Sequence, residues 1–390
     1  MKKLIITILA VVLGAKLFAQ SNLENVLVEI EKNNTTLSAL KEKAEASKLG
    51  NKTGIYLQNP EMEFNYLWSD AITGNRKDFS ITQSFDFPTA YKYKNQISDI
   101  KNEQIGLEYQ KQRKELLLEA RLICLNIVYS NVLHFELSKR LTNAERIANS
   151  YKAKLDVGES NILEYNKAQL NLLNLNKELE SLNIEKEALQ GELTGLNGGI
   201  TIVVSDSIFQ PGEIPVDFEQ WYLQAEQSNP LLNWLKKEIE LSQKQEVLNK
   251  SMSLPKFQAG YMSESVVAQD FKGITIGLSI PLWENKNTVK YSEMNTLAME
   301  EAATDNKIQL YNHLKVLHAK ASRLQKNVSD YKQNLKLLNN SELLAKALDK
   351  GEISLIEYML ELSVYYESLN KLLQKELELN KTVAELNKYL

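Results

Sequence analysis

Two hydrophobic patterns alternate along the chain, and each occurs twice. In short runs, such as Pro60 to Trp68 and Ile274 to Ile280, apolar residues occupy every second position, which is the period of a β-strand. In the long stretches between these runs, leucines recur every three or four positions among polar residues, which is the period of a helix. The pattern therefore predicts a mainly helical protein interrupted by β-hairpins.

The strand pattern predicts two β-hairpins, over residues 60–87 and 255–281, with the second turn at Ser265 to Asp270. In the last strand one face is aliphatic and the other is small or polar: Ile274, Ile276, Leu278 and Ile280 against Gly273, Thr275, Gly277 and Ser279. Such a strand suits lipid on one side and water on the other.

Four membrane strands cannot close a barrel alone, because an open sheet leaves edge N–H and C=O groups unsatisfied in hydrocarbon. Two chains would give eight strands around a plugged interior, and three would give twelve strands around a channel. The small, polar inner face favours three. We therefore expect a four-stranded contribution to a shared 12-stranded, trimeric β-barrel.

The helical pattern predicts very long coiled-coil hairpins. Helices are expected in the segments without proline: Ala90 to Lys154, Leu163 to Leu193, Asn285 to Asp349 and Leu355 to Leu390. At about 1.5 Å per residue, the longest would reach roughly 100 Å. The last one carries a seam of leucine, tyrosine and valine at spacings of three and four, broken only by Glu376.

One sequence occurs twice, 193 residues apart, at the expected tip of each helical hairpin. Leu155 to Tyr165 and Leu348 to Tyr358 share Leu, Asp, Gly, Glu, Glu and Tyr at matching positions. Gly158 and Gly351 are expected to end one helix in the left-handed conformation. Asn161 with Glu164, and Ser354 with Glu357, are expected to cap the next helix as capping boxes. The chain is therefore a tandem repeat.

The repeats give a domain organisation. Residues 1–19 are expected to be a signal peptide, with basic Lys2 and Lys3, an apolar run and a cleavage site before Gln20, so the mature chain is exported. The first repeat occupies 20–199 and the second 229–390. The linker at 200–228 is expected to hold a short strand at Ile200 to Ser205 and a helix at Phe218 to Ser228, entered from Asp217.

Charge and chemistry exclude other function classes. The formal net charge of −4 is spread as mixed lysine and glutamate along the helices, which argues against a nucleic-acid partner. His313 and His318 stand five apart, a spacing that splays them on a helix, and no phosphate loop, nucleophile elbow or Cys–His cluster is present. The single cysteine, Cys124, has an apolar surrounding and is expected to be buried. We therefore expect that the protein is not an enzyme and that it has no cofactor and no metal site.

Several short motifs resemble those of the TolC-like outer-membrane efflux proteins. They are Asn59-Pro60-Glu61, Phe85-Asp86-Phe87-Pro88, Asn229-Pro230, Ser279-Ile280-Pro281-Leu282-Trp283 and the paired glycine tips. The order of elements over the whole mature chain is also similar. The first two motifs are most similar to the heavy-metal efflux branch, the CzcC and CusC type.

The resemblance implies a homotrimer whose strands form a pore through outer-membrane lipid and whose helices form a periplasmic tunnel. It implies a periplasmic adaptor, an inner-membrane pump of the RND type, and export of small solutes, either drugs or heavy-metal cations. An exit duct for type I protein secretion is an alternative with the same fold. A periplasmic coiled-coil structural protein is an alternative of another class, and it leaves the duplicated strands unexplained.

The resemblance also assigns site residues. Gly158, Gly351, Glu159 and Glu352 would form the tips where adaptors dock. Glu357, Glu164, Asp349 and Asp156 are candidates for the channel constriction. Helix capping alone would also explain Glu164 and Glu357, and like charges at one mouth would favour cations. Leu348 and Ile353 replace a tyrosine and an arginine of the best-known member. Trp68 and Trp283 are expected at the membrane interface, or in ordinary packing.

Overall fold

The computed structural model describes residues 22–70, 74–210 and 212–389, so the expected signal peptide at 1–19 lies outside the described residues. Helices and strands follow one another in the order expected from the sequence. They are α1 (Asn22–Asn33), α2 (Thr35–Gly50), β1 (Glu61–Leu67), β2 (Arg76–Phe85), α3 (Pro88–Asp156), α4 (Ile162–Leu196), α5 (Phe218–Ser228), α6 (Pro230–Met252), β3 (Lys256–Val266), β4 (Gln269–Ser279), α7 (Thr288–Leu337), α8 (Ser341–Asp349), α9 (Leu355–Leu386) and a final 3₁₀ turn (Asn387–Tyr389).

These elements group into two compact units that cut across the sequence repeats. The sheet unit comprises residues 39–111 and 226–310 and contains all four strands. The helical unit comprises the described residues up to Ser38 together with 112–225 and 311–389. It contains both helical tips and the linker between the repeats.

In the sheet unit, the four strands form one antiparallel sheet in the order β1-β2-β3-β4. The central pairing of β2 with β3 joins the two repeats, with Ile81 opposite Tyr261. β1 and β4 are the edges, and neither has a second partner strand within the described chain. The strands expected from the alternating pattern are thus present, in an open sheet.

The second hairpin is longer and tighter than expected. The turn was expected to occupy Ser265 to Asp270, yet these two residues are paired with each other across the strands. Only Val267 and Ala268 are left for the turn, and Ala268 adopts a left-handed φ of 65°. The Ser265 hydroxyl donates a hydrogen bond to Asp270 at 2.7 Å, one pair before the final pair of Val266 with Gln269. Polar residues here extend the ladder and do not interrupt it.

Helix starts follow the expected signals. Pro88 is the first residue of α3, where its missing N–H costs nothing. The Asn229 side chain accepts from the backbone N–H groups of Leu231 and Leu232, at 2.8 and 3.2 Å, and Pro230 opens α6. Asp217 accepts from Gln220 N at 3.1 Å and caps α5. The helix entry expected at Asp217 is confirmed.

The longest helix of the first repeat is continuous, whereas its counterpart in the second repeat is broken. α3 runs for 69 residues, roughly 100 Å. α7 ends at Leu337, and α8 begins at Ser341. The Asn339 side chain accepts from the backbone N–H and the hydroxyl of Ser341, at 3.2 and 2.7 Å. An asparagine that bonds nearby backbone in this way competes with the helix, so the expectation of one helix from Asn285 to Asp349 was wrong.

The main core of the helical unit lies between α1 and the middle of α3. Ile30, Ile127 and Cys124 are fully enclosed there. Burial raises the pKa of the Cys124 thiol to about 12, so it stays protonated as a small hydrophobic side chain. α3 is also the one helix among the described residues that is long and apolar enough to cross a membrane, and 39% of that stretch is buried within the protein.

The linker packs against the same core, but without the strand expected at Ile200 to Ser205. Ile202 and Val204 are buried in the core, and the segment has no ladder partner. Asn131 of α3 donates instead to the carbonyl groups of Val204 and Asp206, at 3.1 and 2.9 Å. A helix side chain therefore satisfies backbone groups that a neighbouring strand would have paired.

The seam expected along α9 is largely present. Its buried residues are Leu355, Tyr358, Leu362, Leu372, Leu373, Thr382, Val383 and Leu386. Glu376, the polar residue within the seam, forms an ion pair with Lys332 of α7 and keeps only 12% of its side chain exposed. The long lysine side chain reaches the carboxylate and compensates its charge, so Glu376 can be mostly buried within the apolar seam.

Candidate channel surfaces

The two helical tips have the same backbone geometry. Gly158 and Gly351 adopt φ values of 78° and 72°. After α3, Glu159 N donates to Lys154 O at 2.8 Å and Gly158 N to Leu155 O at 3.1 Å. After α8, Glu352 N donates to Ala347 O at 2.9 Å and Gly351 N to Leu348 O at 3.1 Å. Both are Schellman motifs, in which the glycine turns the chain and the last carbonyl groups are satisfied.

The two tips differ in how the next helix begins. At α9, Ser354 Oγ accepts from Glu357 N at 3.2 Å, while the Glu357 carboxylate accepts from Ser354 N at 2.8 Å, which completes a capping box. At α4, Asn161 accepts from Glu164 N at 3.0 Å, but the Glu164 carboxylate accepts from the Ser160 hydroxyl at 2.6 Å. The capping box expected at the first tip is therefore only half formed, because the preceding serine binds the carboxylate first.

The electrostatics of Glu357 follow from this cap. Hydrogen bonds from the backbone N–H and hydroxyl of Ser354 stabilise its charged form and lower the pKa of the carboxyl group. The side chain is exposed. Glu357 thus caps α9 and also presents a negative charge to solvent, so the two roles expected for it are compatible.

Among the tip acids, Asp349 has the closest cationic partner, whereas Glu352 lies 3.9 Å from Lys350. Arg146 Nη1 of α3 lies 3.1 Å from Asp349 Oδ1, and both side chains are about half exposed. Asp156, Glu159 and Glu352 are exposed. Of the four turn acids, Asp349 therefore contributes the least uncompensated charge.

The tips are backed by an apolar cluster that joins α3, α4, α8 and α9. Leu348 and Leu355 are buried in it, and Ile353 packs against it. The two residues that depart from the resembled family, Leu348 and Ile353, thus belong to packing within one subunit.

Sequence reasoning missed a patch of exposed apolar residues around the tips. Val157, Ile162 and Leu163 at the first tip, and Ile356 and Leu360 at the second, are more than half exposed. The repeat gave a signal, since Leu163 and Ile356 are 193 residues apart. Exposed aliphatic residues at duplicated positions are a feature of contact surfaces.

The register of the sheet unit sorts its side chains onto two faces. Residues paired directly across strands share a face. One face carries a row of Met62, Ile81, Tyr261 and Ile274 and a row of Phe85, Phe257 and Leu278. On this face Met62 is 69% exposed, Ile274 81% and Ile276 80%. Lys77, Asp270 and Lys272 share this face near the hairpin turns. The rest of it is a mostly apolar surface that nothing in the described chain covers.

The opposite face is polar and rich in carboxylates. Its rows contain Glu61, Thr82, Gly260 and Thr275, then Glu63, Ser80, Met262 and Gly273. The next row contains Asp78 and Glu264, and Arg76 lies 2.8 Å from the first and 3.2 Å from the second. Glu61 and Glu63 have no cationic partner among the described residues and are exposed. This face thus carries a net negative charge.

The two candidate interface tryptophans lie at opposite ends of the sheet. Trp68 follows the last residue of β1, and Trp283 follows the last residue of β4. Because three successive antiparallel pairings make β4 run opposite to β1, these strands end at opposite ends of the sheet. Both residues are at least 80% exposed within the described chain.

No cluster of three or more metal-binding side chains occurs among the described residues. His318 Nε2 lies 2.7 Å from the carbonyl oxygen of Pro215, so a hydrogen bond within the chain occupies this ring nitrogen.

No protein-family model and no curated protein sequence matches the chain. Solved structures do match over almost its full length. The CusC channel superposes with a TM-score of 0.78 at 12% identity, covering 94% of this chain and 91% of that one. The Campylobacter jejuni CmeC outer membrane channel gives 0.76 at 14% identity, with 94% and 85% covered. The open-state Neisseria gonorrhoeae MtrE outer membrane channel gives 0.72 at 10%, with 94% and 88% covered. The chain therefore has the TolC-like fold of these outer-membrane channels, with long helices and a four-stranded antiparallel sheet.

Proposed function

We propose that the chain is one subunit of a trimeric outer-membrane channel that works in a tripartite efflux system. The observation that carries this proposal is the sheet, whose register aligns an exposed apolar face against a polar, acidic one. That division suits lipid outside and water inside. The comparisons support it, because the matching solved structures are named as outer membrane channels.

The open edges of the sheet are the reason for more than one subunit. β1 and β4 each have one partner within the described chain. In hydrocarbon, their unpaired N–H and C=O groups would each cost several kcal/mol. Three copies would join β1 of one subunit to β4 of the next and close a barrel of twelve strands. A barrel of that size leaves a water-filled lumen, which the acidic face would line.

The tips supply the contact with partners. Two identical Schellman turns, each flanked by exposed aliphatic residues such as Leu163 and Ile356, would give each trimer six similar docking points for adaptor proteins. An inner-membrane pump would then drive the transport, and this chain would supply a hydrated path. We further propose that small solutes, and cations in preference to anions, pass through it, because carboxylates line both candidate openings.

A matched pair of substitutions in β4 tests the membrane assignment. Ile274 and Thr275 are neighbours that point to opposite faces of the sheet. Ile274→Lys places a charge on the lipid-facing side, which costs about 2–4 kcal/mol near the bilayer centre. Thr275→Lys places the same charge in water. We expect Ile274→Lys to abolish the trimer band and the outer-membrane protein level, and Thr275→Lys to retain both.

The measurements are membrane fractionation and heat-modifiable mobility of the detergent-extracted protein in gels. A protein that is soluble without detergent, or monomeric after extraction, would contradict the proposal. Equal tolerance of the two substitutions would do the same. An exit duct for protein secretion would give the same results in these tests. A deletion strain distinguishes the two functions: if the chain serves secretion, the strain stops secreting a protein but keeps its normal tolerance of metals, dyes and detergents.

A further inference from the structure

Arg140 of α3 is a buried cation without a carboxylate partner among the described residues. Only 5% of the residue is exposed. Its Nη2 donates to Asn370 Oδ1 of α9 at 2.8 Å, while its Nε is buried and has no hydrogen-bond partner. The Tyr366 ring covers one face of the guanidinium, 4.3 Å from Cζ. The arrangement leaves a positive charge and a free N–H donor inside the helical unit.

The charge of Arg140 is not removed by its surroundings. Burial lowers the pKa of its guanidinium, and the carboxylates of Glu178 and Glu136 only partly oppose that effect from a distance. Glu136 is itself paired with Lys139. An arginine keeps its proton even when buried. A buried, uncompensated cation is costly, so a compensating negative charge is expected nearby.

A cavity of about 80 Å³ adjoins Arg140. It lies between α3, α4 and α9. Most of its lining is apolar, including Ala144, Ile147, Ala168, Leu175 and Leu362. The polar lining comes from Asn143, Asn171, Ser363 and Tyr358 together with the arginine. No acidic residue lines it.

The polar groups around the cavity can offer protons. The Tyr358 hydroxyl accepts a hydrogen bond from Asn143 Nδ2 at 2.8 Å, which leaves the hydroxyl proton available for another acceptor. The residue is 2% exposed, so water outside cannot take that proton. The Asn171 amide, which lines the same space, carries two further N–H donors. Donors from three helices therefore meet beside one positive charge.

We propose that this cavity is a binding site for one small monovalent anion, chloride in the cell. The volume is well above the roughly 10–15 Å³ of accessible space that one water molecule needs, so a single halide ion fits. Water would satisfy the free N–H of Arg140 but would leave its charge uncompensated. The anion would link α3, α4 and α9 behind the tips, within one subunit, whatever the channel transports.

Thermal unfolding of the detergent-purified protein tests the site. Chloride would be varied against gluconate at constant ionic strength, so that screening of surface charges stays the same. A ligand that binds only the folded state stabilises it by mass action. We expect the melting temperature to rise with chloride or bromide, to level off at saturation and to stay constant in gluconate. A melting temperature that does not depend on chloride would overturn the proposal.

Two variants on the same helix separate this site from general salt effects. Arg140→Met removes the buried charge at nearly equal length, and it should lose the chloride-dependent shift. Arg146→Met removes an exposed arginine that pairs with Asp349 and does not line the cavity, and it should keep the shift. Equal shifts in the wild type and Arg140→Met would place the chloride effect elsewhere and overturn the proposal.

Crystals soaked in bromide give a test that does not require a variant to fold. We expect an anomalous peak within hydrogen-bonding distance of Arg140 Nε and the Tyr358 hydroxyl. A cavity that contains only water in such crystals would overturn the proposal.

Discussion

At the residue scale, each tip depends on a glycine in a left-handed conformation that has open space around it. Gly351 has φ of 72°, and a Cβ added there would meet no atom within 4 Å. Gly351→Ala therefore tests backbone strain alone. We expect a loss of about 1 kcal/mol in the free energy of unfolding, because a left-handed conformation costs an L-residue roughly 1–2 kcal/mol.

Gly191 provides the matched control. It lies within α4, and an added Cβ would likewise meet nothing within 4 Å. Gly191→Ala should stabilise the protein by about 0.5–1 kcal/mol, since alanine loses less entropy than glycine in a helix. Chemical denaturation of both variants measures the two values. A stabilising Gly351→Ala would contradict the role given to the tip glycine.

Glu357 makes the second tip sensitive to acid. Its folded-state pKa is lowered by the hydrogen bonds from Ser354. Its contribution to stability is therefore present above the ordinary glutamate pKa of about 4.3 and is lost as the pH falls through the lowered, folded-state value. We expect Glu357→Gln to destabilise the N-terminus of α9 at pH 7, with a difference from the wild type that shrinks as the pH drops below about 4.

Hydrogen exchange at the first amides of α9 measures this effect. Glu352→Gln is the control, since Glu352 is an exposed acid of the same tip that caps no helix and lies 3.9 Å from Lys350. It should leave α9 exchange unchanged across the pH range. A pH-independent difference for Glu357→Gln would show that its carboxylate does not act as a charged cap.

The caps and the glycines could be predicted from the sequence because they are local. Ser354 and Glu357 are three residues apart, and the glycine conformation depends only on its own turn. The pair of Arg146 with Asp349 could not, because 203 residues separate its members. Their contact requires the packing register of two helices, and a pattern within either helix does not contain it. The same holds for Arg140 and Asn370, which are 230 residues apart.

At the element scale, the two repeats differ in the helix that leads to the tip. Asn339 and Asn340 at the break correspond, at the offset of 193 residues, to Arg146 and Ile147 inside α3. Asparagine disfavours a helix interior by bonding local backbone groups, whereas arginine is a good helix former. The difference in continuity therefore follows from these two positions.

Replacing both asparagines should join α7 to α8. In the variant Asn339→Arg, Asn340→Ala we expect the amides between Leu338 and Leu344 to exchange about fivefold more slowly, since each would gain a helical hydrogen bond worth about 1 kcal/mol. The control is Asn334→Ala, within α7, whose side chain bonds the carbonyl of Asp330 and holds no break. Unchanged exchange in the double variant would mean that packing of α8, and not the asparagines, sets the break.

Element types were predictable, and several boundaries were not. Alternation and leucine spacing identify the strands and helices because each period is a property of one segment. The strand expected at Ile200 to Ser205 is absent, because a side chain of α3 bonds the backbone carbonyl groups that a neighbouring strand would have paired. The turn at Val267 and Ala268 was overestimated, because the strand residues next to it, such as Ser265 and Asp270, are polar and resemble turn residues. The pairing of β2 with β3 has no local signal at all.

At the scale of the whole molecule, the single chain is incomplete in one respect. Its helical unit buries its own cores, and its tips are capped. Its sheet, in contrast, leaves two edges and a broad apolar face without a cover. An open edge is a site for pairing with another chain. In the proposed trimer, neighbouring subunits would pair these edges. Lipid would cover the apolar face, and the carboxylates of the opposite face would be in contact with water.

The proposed channel should select cations through its tip acids. Asp156 and Glu357 are exposed and have no cationic partner among the described residues, and a trimer would place three copies of each around one opening. The variant Asp156→Asn, Glu357→Gln should lower the cation-to-anion permeability ratio by roughly fivefold, because one charge at about 4 Å is worth about 1 kcal/mol in water. Reversal potentials across planar bilayers under a salt gradient measure the ratio. The swap Asp156→Glu, Glu357→Asp keeps both charges and should leave it unchanged. If the neutralised variant kept the wild-type ratio, the acids Glu61 and Glu63 on the polar face of the sheet would become the remaining source of selectivity, and the tips would serve docking alone.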